Sequence, residues 1–358
     1  MQIGSKIEAQ QRADQITAFR TELDTLRQEQ VLMLDPIQEQ EVHRYHHRLL
    51  ARLAAGFDID TSSRQKQFSL GMGITSSIGA MALAASIFFF YFQYWGLLDI
   101  KTQVTTLVSM PFVALVLTVG AARLEKSGYF AKLFALITFV CFVLDLSMLG
   151  QIFNIAPSPQ AMLVWGIFAL FLAYSAQSRF MLAMAILSLA GFLSAQTATW
   201  NGCYWISFGE RPETFFPAAL LLFLISIIPH RWYPGFAALY RVFALLLFFL
   251  PVLVLSNWGQ ISYLEYEPDM VEMFYQVVGF AVAGAMIGLG VFQGWPEVVN
   301  TANCFFTLLL YTKFYDWWWA WLPKYQFFLL VGLTAILMLL ILKRMRNVSI
   351  RRKAEAVL

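Results

Sequence analysis

Charge is scarce in this chain. Only 13% of its residues are Asp, Glu, Lys or Arg, and 59% are hydrophobic, whereas a soluble domain carries roughly 25% charged residues. Water is not the solvent for most of such a surface. Cysteine is scarcer: Cys141, Cys203 and Cys304 form no close-spaced pair, and two of them fall in apolar runs, which argues against a disulfide framework. There is no GxxxxGKS/T loop to cradle a phosphate, no GxSxG nucleophile elbow, no HExxH and no CxxC, so the familiar ATPase, hydrolase, zinc-protease and thiol-redox signatures are absent. No pattern calls for a cofactor. The opening residues lack an apolar h-region, so no cleavable signal peptide is expected. No internal repeat of the inverted-transporter kind is visible. The net charge of +3 sits mainly at the two ends, which speaks for membrane orientation and against nucleic-acid binding.

Long apolar runs are what the chain has instead. Ten stretches, at about 74–95, 104–122, 130–150, 160–177, 180–199, 214–230, 236–256, 271–292, 297–314 and 325–343, each approach the roughly 20 residues that a helix needs to cross a bilayer. The expected fold is therefore all-α: a polytopic transmembrane bundle of about ten spans (69–345), preceded by a small cytoplasmic helical hairpin with its linker (1–68) and followed by a basic tail (346–358). Arg123, Lys126, Lys132, Arg179, Arg231 and Arg241 fall in alternate connections, and Lys343, Arg344, Arg346, Arg351, Arg352 and Lys353 lie at the C-terminal end. The other connections hold only Lys101, Arg211, Lys313 and Lys324. Because basic residues near span ends resist translocation, both termini are expected inside. The loop with Glu265, Glu267, Asp269 and Glu272 then faces outward. Aromatic residues end several spans, and Trp317, Trp318, Trp319 and Trp321 follow the ninth; they suit headgroup depth as anchors, or alternatively a stacking platform for a sugar or lipid headgroup. Small residues four apart, Ser76, Ala80 and Ala84 and again Gly284 and Gly288, offer close helix approach, with packing inside one chain favoured over a dimer seam.

The N-terminal region reads as two amphipathic helices. Ile16, Phe19, Leu23 and Leu26 stripe the first; Val42, Tyr45, Leu49, Leu50 and Leu53 stripe the second. The second begins at Asp35, with Pro36 at the first helical position and Gln38 where a capping box wants its partner. Residues 58–67 read as a polar linker. Such a hairpin needs a neighbour for burial, so a cytoplasmic or membrane protein partner is plausible beside the bilayer itself. Glu39, His43 and His47 share one face of its second helix: a solvated face or, as a weak candidate, part of a zinc or pH-sensing site.

One carboxylate stands inside an apolar run. Asp145 lies about a turn from the outer end of the third span, where charge in hydrocarbon marks a candidate functional residue and the rival reading is a carboxylate at the interface. Gln151 and Asn154 follow it in LGQIFNIAPSP, and Asp316 and Lys324 sit at the same outer depth, so Asp145, Gln151, Asn154, Asp316 and Lys324 form a candidate outer-face polar cluster. Separate interfacial roles are the alternative.

The order of these features resembles a bacterial family of predicted inner-membrane proteins, domain of unknown function 2157. The residues that carry it are ELDTLRQEQVLMLDPIQEQEVHRYHHRLL, then LGQIFNIAPSPQAMLVWGIFALFLAY, and LPKYQFFLLVGLTAILMLLILKRMR. The middle stretch fits an LxQ(I/T)(F/Y)(N/H)I pattern through Leu149, Gln151, Ile152, Phe153, Asn154 and Ile155. The resemblance implies a multi-pass protein of the bacterial inner membrane with a cytoplasmic helical head and no assigned activity, and it draws attention to Gln151 and Asn154. A transporter, flippase-like or accessory role in an envelope system is the leading expectation. The alternatives are a membrane-embedded enzyme using Asp145 or Asp316 as acid or base on a lipid or glycan, and a non-catalytic assembly or sensing protein.

Overall fold

The structure, a computed structural model, describes residues 6–32, 35–57, 59, 63–124, 129–156, 158–197, 211–230, 233, 235–337 and 340. Among them there is no strand. The helices are α1 (Lys6–Gln28), α2 (Pro36–Phe57), α3 (Ser63–Tyr94), α4 (Ile100–Leu124), α5 (Tyr129–Ile152), α6 (Gln160–Ser175), α7 (Arg179–Thr197), α8 (Phe215–Ile227), α9 (Phe236–Leu255), α10 (Pro268–Gln293), α11 (Pro296–Trp318) and α12 (Lys324–Leu337). Each of the ten apolar runs coincides with one of α3 to α12. Among the described residues, five helices are both long and apolar enough to cross a membrane: Ile100–Leu124, Phe130–Ile152, Arg179–Gln196, Phe236–Leu255 and Pro268–Gln293. α6, α8 and α12 are apolar but shorter, and α11 is long but diluted by Asn300, Asn303 and Lys313. The 58–67 linker is shorter than the sequence suggests, because Arg64, Gln65, Lys66 and Gln67 are good helix formers without a breaker and α3 starts at Ser63. Cys203, Trp200, Trp205, Lys126, Arg231 and the basic tail lie outside the described residues.

The turns explain how so many helices fit into so few linking residues. Gln30, Asn154, Gln177 and Gly294 all take positive φ, between 50° and 70°, and each stops a helix. At Asn154 the Ile155 amide donates to the Gly150 carbonyl at 2.8 Å and the Asn154 amide to Gln151 at 3.2 Å, the paired bonds of a left-handed helix cap. The same closure joins Ser178 to Ala173 at 3.0 Å and Trp295 to Gly290 at 2.8 Å. The Met181 amide then donates to the Ser178 hydroxyl oxygen at 3.4 Å, so α7 begins at once.

The chain forms two compact units, residues 1–188 with 231–234, and residues 189–230 with 235–358. In the first, α1 and α2 run antiparallel: Ala9 and Ala13 pack with Leu53 and Ile59, the Phe19 ring meets His46, and Arg27 reaches Glu39. Further along, Ala114 of α4 packs on Ile137 and Cys141 of α5, with Ile87 of α3 against them. The Thr118 and Thr138 hydroxyls, 3.0 Å apart, tie α4 to α5 with both groups buried, which spares each an unpaired position in apolar surroundings.

The second unit is built around α9. Leu245 and Phe249 of α9 meet Ala283 and Ile287 of α10 and Val298, Ala302 and Phe305 of α11. Two glycines set these crossings. A Cβ on Gly279 would stand 2.9 Å from both Val252 and Leu309, and one on Gly290 would stand 2.7 Å from Val299. The expected close-packing pair Gly284 and Gly288 instead faces open space: the helical period that turns Gly279, Ala283 and Gly290 inward turns these two outward. The side chains of Ser76, Ala80 and Ala84 lie outside the described set.

Candidate functional site

Asp145 lies on α5, two turns before the helix ends. Its Oδ1 is buried and has no hydrogen-bond partner among the described residues. A short connection makes α5 and α6 antiparallel, and the Phe142 and Phe168 rings meet at 4.3 Å. That register sets Asp145 level with Trp165 on α6, since three residues forward on one helix match three back on the other. The Trp165 Nε1 is also buried and without a partner. An orphan acceptor on α5 and an orphan donor on α6 thus stand at one level along these two apolar helices. A buried polar group without a partner costs about 1–3 kcal/mol, so two at one level make a place suited to a polar occupant.

The rest of the expected outer cluster divides between the two units. Gln151 is exposed at the end of α5, and Asn154 is the left-handed residue that stops that helix. Asn suits that position because its short side chain tolerates positive φ, which gives it a structural reason to be there. In the second unit, Asp316 accepts an ion pair from Lys313 at 2.7 Å. Lys313 is not in a connection, as its sequence position suggested. No breaker follows it, α11 runs on to Trp318, and Lys313 is buried on that helix at 2% exposure. Lys324, just past Pro323, stacks its ammonium 3.6 Å over Trp319 and donates to the Trp319 carbonyl at 2.7 Å. Phe314 stacks on Trp318 at 4.6 Å and Tyr315 on Trp319 at 5.2 Å, and Trp319 meets Phe327 edge-on. Most of this aromatic segment is therefore spent on itself and on Lys324.

A second polar hub was not legible from spacing. Glu213, in the 3-10 turn before α8, accepts at Oε1 from the Ser262 hydroxyl, from the Tyr263 amide at 2.9 Å and from the Tyr275 hydroxyl at 3.4 Å. Its other oxygen is buried without a partner. Beside it, Arg211 holds φ at 69°, donates its amide to the Ile261 carbonyl at 2.9 Å and lies over the Tyr263 ring. The Gly259 amide donates to Glu272 at 3.0 Å. Gly259 must be glycine, because a Cβ would stand 2.2 Å from the Pro268 carbonyl oxygen. These contacts sew the α9–α10 connection onto the start of α8. At the opposite end of α9, Arg241 binds Glu297 and covers the Trp295 ring at 4.4 Å.

Among the described residues no three His, Cys, Asp or Glu side chains are placed to share an ion. Glu39 is instead paired with Arg27 at 2.8 Å, and His43 and His47 point to the exposed side of α2.

Residues 47–182 match the model of a family described as predicted membrane protein (DUF2157). The matched stretch runs from α2 into α7 and contains Asp145, Gln151, Asn154 and Trp165. No curated protein and no solved structure matches the chain. The chain is thus a membrane protein with several apolar helices, similar over this stretch to a family without an assigned activity.

Proposed function

We propose that this is a ten-span protein of the bacterial inner membrane that moves a polar substrate or lipid headgroup past Asp145, with both termini cytoplasmic. The observation that carries this reading is the orphan Asp145 carboxylate oxygen level with the orphan Trp165 indole N–H. An ionisable side chain inside an apolar helix faces protein or a water-filled cavity and marks a substrate or ion path. Asp145 supplies acceptor oxygens and Trp165 a donor and an aromatic wall, which together suit a hydroxylated or cationic group. Beyond the five long apolar helices, α3, α6, α8, α11 and α12 complete the count; the 16 residues of α6 rise about 24 Å, which local thinning of the bilayer accommodates. The basic residues Arg123, Arg179 and Arg241 at alternate connections support the orientation. α1 and α2 form the cytoplasmic head and its docking face for a protein partner.

The test is a solute and lipid profile of cells lacking the protein, complemented with the wild-type chain or with Asp145→Asn. At least one solute or lipid should shift in the deletion strain, return with the wild type, and remain shifted with the variant inserted at normal level. An unchanged profile, or full rescue by Asp145→Asn, would sink the transport reading.

A further inference from the structure

The α1–α2 pair holds a second set of unpaired polar atoms. His46 is 8% exposed, closed in by the Phe19 ring at 5.6 Å and the Tyr45 ring at 5.8 Å. Among the described residues its Nδ1 is buried with no partner, and so is the Nε of Arg20 on the facing helix. Arg12, two turns before Arg20 on α1, and His43, one turn before His46 on α2, complete the surroundings. Burial first, and then the Arg20 and Arg12 guanidinium groups, lower the His46 pKa. Glu39, two turns before His46 on α2, is committed to Arg27. An unmet N–H on one helix and an unmet imidazole nitrogen on the helix facing it, with Arg12 on the same helix as the donor, are the complement of an anion.

We propose that the groove between α1 and α2 binds a phosphate group, with Arg20 Nε and the Arg12 guanidinium donating to its oxygens and the His46 Nδ1 edge completing the set. Phosphate fits better than a carboxylate because it presents acceptor oxygens in several directions to donors on two helices, and guanidinium groups pair with it in a fixed fork. The aromatic walls of Phe19 and Tyr45 keep the contact partly dry, which strengthens it. Binding and protonation are linked: an anion at Nδ1 favours the imidazolium, so acid strengthens binding and the bound phosphate holds a proton on His46. A soluble phosphate and a phospholipid headgroup share this chemistry.

The experiment uses the full chain, labelled with 13C at histidine Cε1, in a maltoside detergent that contains no phosphate. The His46 resonance is assigned through His46→Gln. Inorganic phosphate and a short-chain phosphatidylglycerol are added in separate arms, against chloride at equal ionic strength. The His46 signal should move and its titration midpoint should rise in at least one arm. Response to inorganic phosphate identifies a soluble ligand, and response to phosphatidylglycerol alone identifies a lipid headgroup. Arg20→Gln should weaken the response tenfold or more while the His43 and His47 signals keep their positions. No movement of His46 in either arm, or an undiminished response in Arg20→Gln, would overturn the proposal.

Discussion

Replacing Arg241 by methionine should be among the most damaging single changes in the second unit. Arg241 donates from Nε at 2.8 Å and approaches from Nη2 at 2.5 Å to the same Glu297 oxygen, with the two side chains 11% and 20% exposed. Removing one partner of a buried pair costs about 3–5 kcal/mol, because the survivor keeps its charge without compensation. Residual exposure at this helix end argues for the low side of that range, about 3 kcal/mol, to which loss of the contact over Trp295 adds about 1 kcal/mol. Glu297 occupies the first turn of α11, where the helix dipole returns roughly 0.5 kcal/mol to an unpaired carboxylate. Glu297→Gln should cost less, about 2 kcal/mol, since the amide oxygen still accepts from Arg241 and the guanidinium keeps its place over Trp295. The double variant should then fall short of the sum by about 2 kcal/mol, which is the coupling of the pair. Equilibrium unfolding in mixed micelles, followed by tryptophan fluorescence, measures all three. Additive losses within about 0.5 kcal/mol, or single losses below that figure, would refute the picture of α9 and α11 pinned by this pair.

Three further outcomes follow from local geometry. Gly259→Ala should loosen the α9–α10 connection, with a loss of about 1–3 kcal/mol and faster amide exchange over residues 259–264, because the new Cβ meets the Pro268 carbonyl at 2.2 Å; unchanged exchange would contradict that approach. Asn154→Gly should be neutral or stabilising, whereas Asn154→Val should cost about 1–2 kcal/mol, so equal thermal stabilities would remove the left-handed cap. His46 has its pKa lowered from 6.5, first by burial and then by Arg20, Arg12 and His43. The unfolded chain therefore binds this proton more readily than the folded one. The contribution is complete above pH 6.5 and is lost as pH falls below it toward the folded value. In phosphate-free buffer, α1–α2 amide protection, corrected for the intrinsic pH dependence of exchange, should fall between pH 7.5 and 5.5 in the wild type and not in His46→Phe; unchanged protection in the wild type would contradict the burial.

Much of the fold could be read from periodicity, because apolar runs of this length leave a chain few other ways to satisfy its backbone in lipid. Each run falls on a helix, although α3 starts eleven residues earlier than its apolar run, and Pro36 opens α2 while Gly294 closes α10. What escaped was set by contacts distant in sequence. Lys313 looked like a loop residue because a lysine ordinarily ends a span, yet a carboxylate one turn later lets the helix carry it inward. Trp165 lacked any signal on its own; only the antiparallel register of α5 and α6 brings its indole level with Asp145. Glu213 sits 49 residues from Ser262 and 62 from Tyr275, separations that no local pattern encodes. Gly284 and Gly288 show the converse, a recognisable spacing whose face the helix turns away from its neighbours. Asn154 was legible as important, while its reason, a left-handed helix stop, belongs to backbone geometry.

The most direct measurement asks whether water reaches Asp145. In a chain whose native cysteines are replaced, Asp145→Cys and Trp165→Cys are exposed in intact cells to a membrane-impermeant cationic thiosulfonate, with Ser147→Cys, on the exposed side of α5, as the lipid-facing control. A polar path opening outward predicts labelling at positions 145 and 165 and none at 147. An unlabelled Asp145→Cys in a correctly inserted protein, or labelling no faster than at 147, would contradict it.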